Sequence, residues 1–371
     1  MNLCHIPIID QHAHNVLRPE ALERFPFTAA FTEGHADDML PHVRHTLFFR
    51  RSVRDLAELL GCAATEEAVL AERDRLGLAE MTRKYLTSAN LETVLLDDGF
   101  LPADILPLDW HQQFIQAKRL LRIEYLAENL IPQAETFSDF LGRFRAVLEQ
   151  PPSDVVAFKS IAAYRTGLAI MAIDYDEAAN RFRQLKRQGN DFSPRLADKV
   201  LIDFLLRQTL EVAGRRGMPV QLHTGFGDPD LDLRLANPLH LRGVLEERRF
   251  RSVPLILLHA SYPFPREAGY LASVYPNVFL DMGLAVPMLS VSGMCRVVRQ
   301  LLELAPVTKL LYSSDAHMIP DLFFLAAKWG RAVLGQVLES AIHDGDLTPT
   351  EAEQAATGIL RDHACRMYGV G

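Results

Sequence analysis

The sequence predicts an α/β fold, a (β/α)8 TIM barrel with a helical insertion after its first strand. Three observations lead there. The chain has 371 residues, 49% hydrophobic and 23% charged, ordinary globular proportions with length enough for one large core. Eight short β-rich segments end in polar residues and are followed by helical patterning, as parallel βαβ units require. No repeat, low-complexity run or Pro- or Gly-rich linker interrupts them, so residues 1–371 read as one barrel domain enlarged by insertion.

The first strand, residues 6–10, runs into Gln11-His12-Ala13-His14. Residues 31–90 are rich in Leu, Ala, Glu and Arg at helical spacing and read as the insertion. An insertion after a barrel strand lies at the strand's C-terminal side, where a lid belongs. The second strand, 93–96, precedes Asp97-Asp98-Gly99, the third covers 120–124, and the fourth, 155–158, precedes Lys159-Ser160. A helix over 197–216 repeats Val200, Leu201, Phe204, Leu205 and Val212 at three- and four-residue spacing and stops at Gly217. The fifth strand, 220–222, leads to His223-Thr224-Gly225, and the sixth, 255–258, to His259. A helix over 266–275 ends before Pro276, and one over 294–304 before Pro306. Between them the seventh strand, 278–280, reaches Asp281; the eighth, 309–312, then reaches Ser313-Ser314-Asp315. Thr348-Pro349-Thr350-Glu351 supplies an N-cap, a first-turn proline and a capping-box glutamate for a last helix ending near Tyr368.

Lys and Arg total 39 against 47 Asp and Glu, a net charge of −8. No basic excess is available for nucleic-acid phosphates or an anionic membrane. The four cysteines, Cys4, Cys62, Cys295 and Cys365, form no C-x-x-C pair, which suits a reduced, cytoplasmic setting. The N-terminus lacks a signal-peptide pattern, and no apolar run approaches the ~18 residues of a membrane span. A cytoplasmic protein acting on a small-molecule substrate, as a homo-oligomer, is the expectation.

His12 and His14 alternate around Ala13, so in an extended chain both imidazoles face one point, a metal-ligand geometry. Lys159, His223, His259 and Asp315 each end a predicted strand, and a barrel gathers such ends around one mouth. Taken singly, each has an ordinary explanation as a solvated lysine, a hydrogen-bonded histidine or a helix cap. Their joint occurrence does not.

The order H-x-H, Lys, His, His, Asp after strands one, four, five, six and eight resembles that of the amidohydrolase superfamily. IIDQHAHN, RSVRDLAELLGC, FKSIAAYRTGL, LHTGFGDPDLDLRLANPLHLR and LLHASYPFPREAGYLASVYPNVFLDMGLAVP are similar to the amidohydrolase domain of nodulin/glutamine-synthetase-like and FluG-type proteins. In those fusions a glutamine-synthetase-like domain follows the barrel, whereas this sequence ends at Gly371 and reads as a stand-alone version. The resemblance implies one or two divalent ions, zinc or manganese. In the two-ion arrangement His12, His14 and Asp315 hold one and His223 and His259 the other. Lys159, carboxylated, bridges them; a mono-metal arrangement without the carbamate is the alternative.

Such an ion makes hydroxide available near neutral pH and polarises a carbonyl. Asp315 is then the general base and acid, and His259 stabilises developing charge. Arg165 and Arg234 offer guanidinium groups for a substrate carboxylate, unless they pair with Asp228, Asp230 or Asp232. Trp110, His111 and His317 are further substrate-contact candidates. The expected activity is hydrolysis of an amide, specifically a γ-glutamyl amide, by association with a glutamine-synthetase-like ligase as functional partner. A metal-dependent decarboxylase of the same superfamily and a non-catalytic scaffold barrel are the alternatives.

Overall fold

The computed structural model describes residues 1–34, 37–187 and 195–371. Its eight strands are β1 Ile8–His14, β2 Leu91–Asp97, β3 Gln116–Arg122, β4 Val155–Ser160, β5 Val220–Leu222, β6 Leu255–Leu257, β7 Val278–Asp281 and β8 Leu310–Leu311. They form one sheet in the order β1 to β8, the strand order of the (β/α)8 barrel class. Parallel strands covered on both faces need not alternate apolar with polar. In keeping with this, β5 and β6 are buried at every position and β1 at all but its last.

Only β5 keeps its expected bounds, and the two largest departures, at β1 and β3, have a common reason. β1 continues through His14 because ladder partners flank its polar end: Gln11 N–H donates to Tyr312 O (3.3 Å), His14 N–H to Ala316 O (2.7 Å), and Asp315 N–H returns to His12 O (3.0 Å). β3 begins at Gln116 and ends at Arg122, and Ile123 and Glu124 open the following helix. In both cases the bonds come from residues distant in sequence. The Lys199–Arg216 helix starts two residues later than expected because Asp198 caps it by accepting from Leu201 N–H, and it ends at left-handed Gly217. The helix after β7 starts early, at Val291, because Ser290 caps it.

The chain divides into two compact units. The first comprises Met1–Lys118 and Asp281–Gly371. Here the insertion forms helices Leu47–Leu60, Glu66–Leu76 and Leu78–Ser88, the first two capped by Thr46 and Thr65. Phe48 lies 5.3 Å from Phe31 and 5.9 Å from Trp329, ring to ring, seating the insertion against the long helix Asp321–Asp344. Arg73 pairs with buried Asp321 at that helix's start. Arg331, from the same helix, donates to Ala89 O (2.7 Å), Ile6 O (2.8 Å) and Asn90 O (3.2 Å), tying down the chain just before β1 and β2.

The C-terminal segment completes the short β8. The capping box at Thr348 and Glu351 starts helix Pro349–Thr357, which widens into a π-turn over Gly358–Asp362. Ile359 O within it accepts from Tyr312 N–H (3.1 Å), and His363 Nδ1 meets Leu310 O (2.9 Å).

The second unit is Arg119–Leu280. Helices Phe137–Glu149, Tyr175–Arg187 and Lys199–Arg216 share an aromatic core in which Phe137 lies 5.6 Å from Phe204 and Phe140 5.2 Å from Phe182. Among the described residues no helix is long and apolar enough to cross a membrane.

Arg331→Leu keeps the apolar stem but removes the donors to Ala89 O and Ile6 O and the second donor to Asn90 O, which also accepts from Ile8 N–H. It is expected to lower unfolding free energy by about 3 kcal/mol, since a hydrogen bond to a charged group contributes roughly 1.5–3 kcal/mol. A urea melt that matches the parent's would remove Arg331 as the anchor of the strand starts.

Candidate metal centre

In the first unit the end of β1 meets the segment after β8. His12 is fully buried, His14 nearly so, and their rings stand 5.2 Å apart, edge to face. His12 Nε2 lies 3.2 Å and His14 Nε2 3.5 Å from the same oxygen, Oδ1 of Asp315. His14 Nδ1 is 3.0 Å from Asp97 O, so Nδ1 carries the proton and Nε2 presents a lone pair. That lone pair faces a carboxylate oxygen, acceptor against acceptor. A cation relieves such an arrangement, and two imidazoles with a carboxylate suit a divalent first-row ion. Ligand atoms of His12, His14 and Asp97 also lie within 4.8 Å of one another. These donors fit a metal.

Behind them is a buried polar layer. Asp10, in β1, accepts from Ser314 N–H (2.9 Å) and from the Ser314 hydroxyl. Burial pushes its carboxyl up to about 7 despite these bonds. Gln11 Nε2 donates to Asp281 Oδ1 (3.1 Å), and Tyr368 from the C-terminal helix donates to Gln11 Oε1 (2.6 Å).

In the second unit Lys159 is 1% exposed near the end of β4. His223 and His259, just past β5 and β6, have ring centroids 4.4 Å apart. His223 Nε2 lies 3.0 Å from Phe226 O. His259, Ala260 and Ser261 have φ of 64°, 52° and 48°. Three successive left-handed non-glycine residues store strain of roughly 1–3 kcal/mol each. The turn is held by Thr224 Oγ1, which donates to Leu258 O (2.7 Å) and meets Ser261 Oγ (2.7 Å). Gly225, at φ +72°, has no room for a Cβ against the Ser261 backbone, and Gly227 none against Tyr164.

The remaining sequence candidates separate. Arg234 is exposed and grips its neighbour Asp232 through Nε (3.0 Å) and Nη2 (2.7 Å), the local pair that the sequence left open. Arg165 is 11% exposed and reaches Glu128 through Nη2 at 3.3 Å; its Nε and Nη1 are buried without a hydrogen-bond partner among the described residues. Trp110 packs on His111 and Phe114. His111 is tied to backbone at both nitrogens, Nδ1 to Pro107 O (3.0 Å) and Nε2 from Val16 N–H (3.1 Å). His317 Nδ1 lies 3.0 Å from Asp315 O. With Asp315, Ala30, Thr32 and Phe48 it lines a small cavity of about 10 Å³, so the insertion borders Asp315.

The amidohydrolase family model matches residues 137–370. The chain belongs to the amidohydrolase family. Protein fluG of Emericella nidulans is 36% identical over 98% of the chain. The chain spans about half the length of that relative, 45%. A Lactobacillus casei protein described as a metal-dependent hydrolase is 30% identical, with a TM-score of 0.86 over 99% of this chain and 96% of that one. Glucuronate isomerase from Caulobacter crescentus, 17% identical with a TM-score of 0.68 over 98% and 91% of the two chains, shares the fold.

In this amidohydrolase several site neighbours escape sequence reasoning. The Tyr164 ring lies 4.4 Å from that of His223 at a 55° tilt, and its hydroxyl accepts from Asp228 N–H (3.3 Å). Glu124, fully buried, accepts from Ser160 Oγ (2.6 Å) and Ile161 N–H (3.1 Å) beside Lys159. Only an acidic residue inside an apolar run hinted at Asp10; nothing local hinted at Tyr164 or Glu124.

Burial is the main cause pushing His111 down to about 4, from an ordinary 6.5. Protonation would also oppose Val16 N–H with a second donor. The neutral ring thus adds stability that is whole above pH 6.5 and drains as pH falls toward 4, by at most about 3 kcal/mol. Melting temperatures between pH 7 and pH 4.5 should fall more steeply in the parent than in His111→Gln. Parallel slopes would acquit His111.

Proposed function

We propose that this amidohydrolase is a metal-dependent amide hydrolase acting on a γ-glutamyl amide. The observation that carries the reading is the meeting of His12 Nε2 and His14 Nε2 at one Asp315 oxygen, with the His14 tautomer set by Asp97 O. The reading assigns His12, His14 and Asp315 to one divalent ion, zinc or manganese. His223 and His259 take a second, and Lys159 joins as its carbamate. Burial of Lys159 supports the carbamate, because a buried ammonium beside cations is costly whereas an anion there is favoured.

Bound ions supply Lewis acidity and hydroxide at neutral pH. The chain's own residues supply the proton path and the grip on substrate. Asp315 takes the proton of the attacking water and returns it to the leaving amine. The imidazole of His259 stabilises negative charge on the carbonyl oxygen. The resemblance to barrels fused to a glutamine-synthetase-like ligase supports the γ-glutamyl moiety. Its α-carboxylate needs a cation, and Arg165 is the better candidate of the two arginines: Arg234 already holds Asp232, while Arg165 has two donors without partners among the described residues and a charge disfavoured by burial.

Asp315→Asn cannot accept the water proton, so turnover should fall roughly 10²–10⁴-fold. Metal content measured on the same sample separates proton transfer from metal loss. Near-normal turnover with metal retained takes Asp315 out of the mechanism.

The substrate is tested with γ-glutamyl amides beside aromatic carboxylic acids, recording released amine and carbon dioxide separately. Amine release from the amides is expected. Arg165→Ala should raise KM more than ten-fold while retaining metal, the equivalent of about 1.5–3 kcal/mol. Carbon dioxide release from the acids alone overturns the hydrolase reading in favour of a decarboxylase.

A further inference from the structure

We infer that Asp10 is a positioning residue that locks the backbone on both sides of Asp315 to the backbone of His12. The inference rests on the proposed metal site, yet its evidence is separate. Asp10 is 0% exposed and its side chain is not among the proposed ligands. Its Oδ1 accepts from Ser314 N–H at 2.9 Å and from His12 N–H at 3.4 Å, and its Oδ2 from the Ser314 hydroxyl. The same hydroxyl accepts from Ala316 N–H at 2.9 Å. The residues immediately before and after Asp315 are therefore both wired to one carboxylate, directly and through Ser314. So is the amide of His12.

Asp315 itself needs such restraint. Its φ is 53°, a left-handed conformation that a non-glycine residue keeps only where its surroundings over-determine it. Its own N–H is already spent on His12 O. Rotation of the peptides at Ser314 or Ala316 would swing the carboxylate away from His12 Nε2 and His14 Nε2. The carboxylate of Asp10 blocks that rotation by holding donors on each side. Asn at position 10 fits the space, but one acceptor becomes an amide donor facing the Ser314 hydroxyl. Ala at 314 removes the hydroxyl and with it the link to Ala316.

The test titrates Zn(II) and Mn(II) into the 371-residue chain against a chromophoric chelator, well below the melting temperature. Asp10→Asn and Ser314→Ala should each weaken metal affinity ten- to a hundred-fold, the usual effect of removing an outer partner of a ligand set. Phe144→Leu, in the apolar core of the second unit, serves as a control that lowers melting temperature without touching the site; its affinity should equal the parent's. If Asp10→Asn fails to fold, Ser314→Ala decides. Parent-like affinity in the variants that fold, with a metal-binding parent, overturns the role of Asp10 alone. A parent that binds neither ion overturns the metal reading and this inference together. Loss of affinity in proportion to melting temperature, the control included, makes Asp10 a general stabiliser and likewise overturns it.

Discussion

The pairing of β1 with the segment after β8 is the constraint on which the first unit depends. β8 has only two residues, too few to position residues 312–316 by a ladder of its own. The backbone exchange between 11–14 and 312–316 makes up the difference, and it also brings two imidazoles to one carboxylate. Fold closure and ligand placement in this region are thus the same set of hydrogen bonds. The C-terminal π-turn serves the other side of β8, taking the Tyr312 N–H that a longer strand would have given to a neighbour.

Electrostatics shape the site through tautomers and burial more than through net charge. The Asp97 carbonyl selects the His14 lone pair, whereas His111, expected only as a substrate contact, has both nitrogens consumed by backbone. The two arginines diverge in the same way. One closes on an aspartate two residues away at the surface, and the other is carried inside with two donors unspent among the described residues.

Much of this was legible in the sequence, for identifiable reasons. The H-x-H pattern, the strand-end order and the capping signals at Gly217 and Thr348 are local, and the structure keeps the fold they imply. The sequence stops the first strand at Asp10 because the ladder partners of its polar end are distant in sequence, Leu96 and Asp97 on one side and Tyr312 and Ala316 on the other. Asp232 beside Arg234 was visible in sequence, but Glu128 beside Arg165 was not, being 37 residues away. Tyr164 and Glu124 acquire their meaning from tertiary neighbours alone.

The left-handed run at His259, Ala260 and Ser261 carries an evolutionary consequence. β-Branched side chains tolerate that backbone poorly, while Gly, Asn and Asp enter it readily. Drift at 260 and 261 is therefore constrained by handedness in addition to burial and the Ser261 hydroxyl's contact with Thr224. A substitution to Val or Thr, mild by any exchange table, meets a backbone that β-branched side chains tolerate poorly. Chirality thus narrows an alphabet at that corner that packing alone would leave wider.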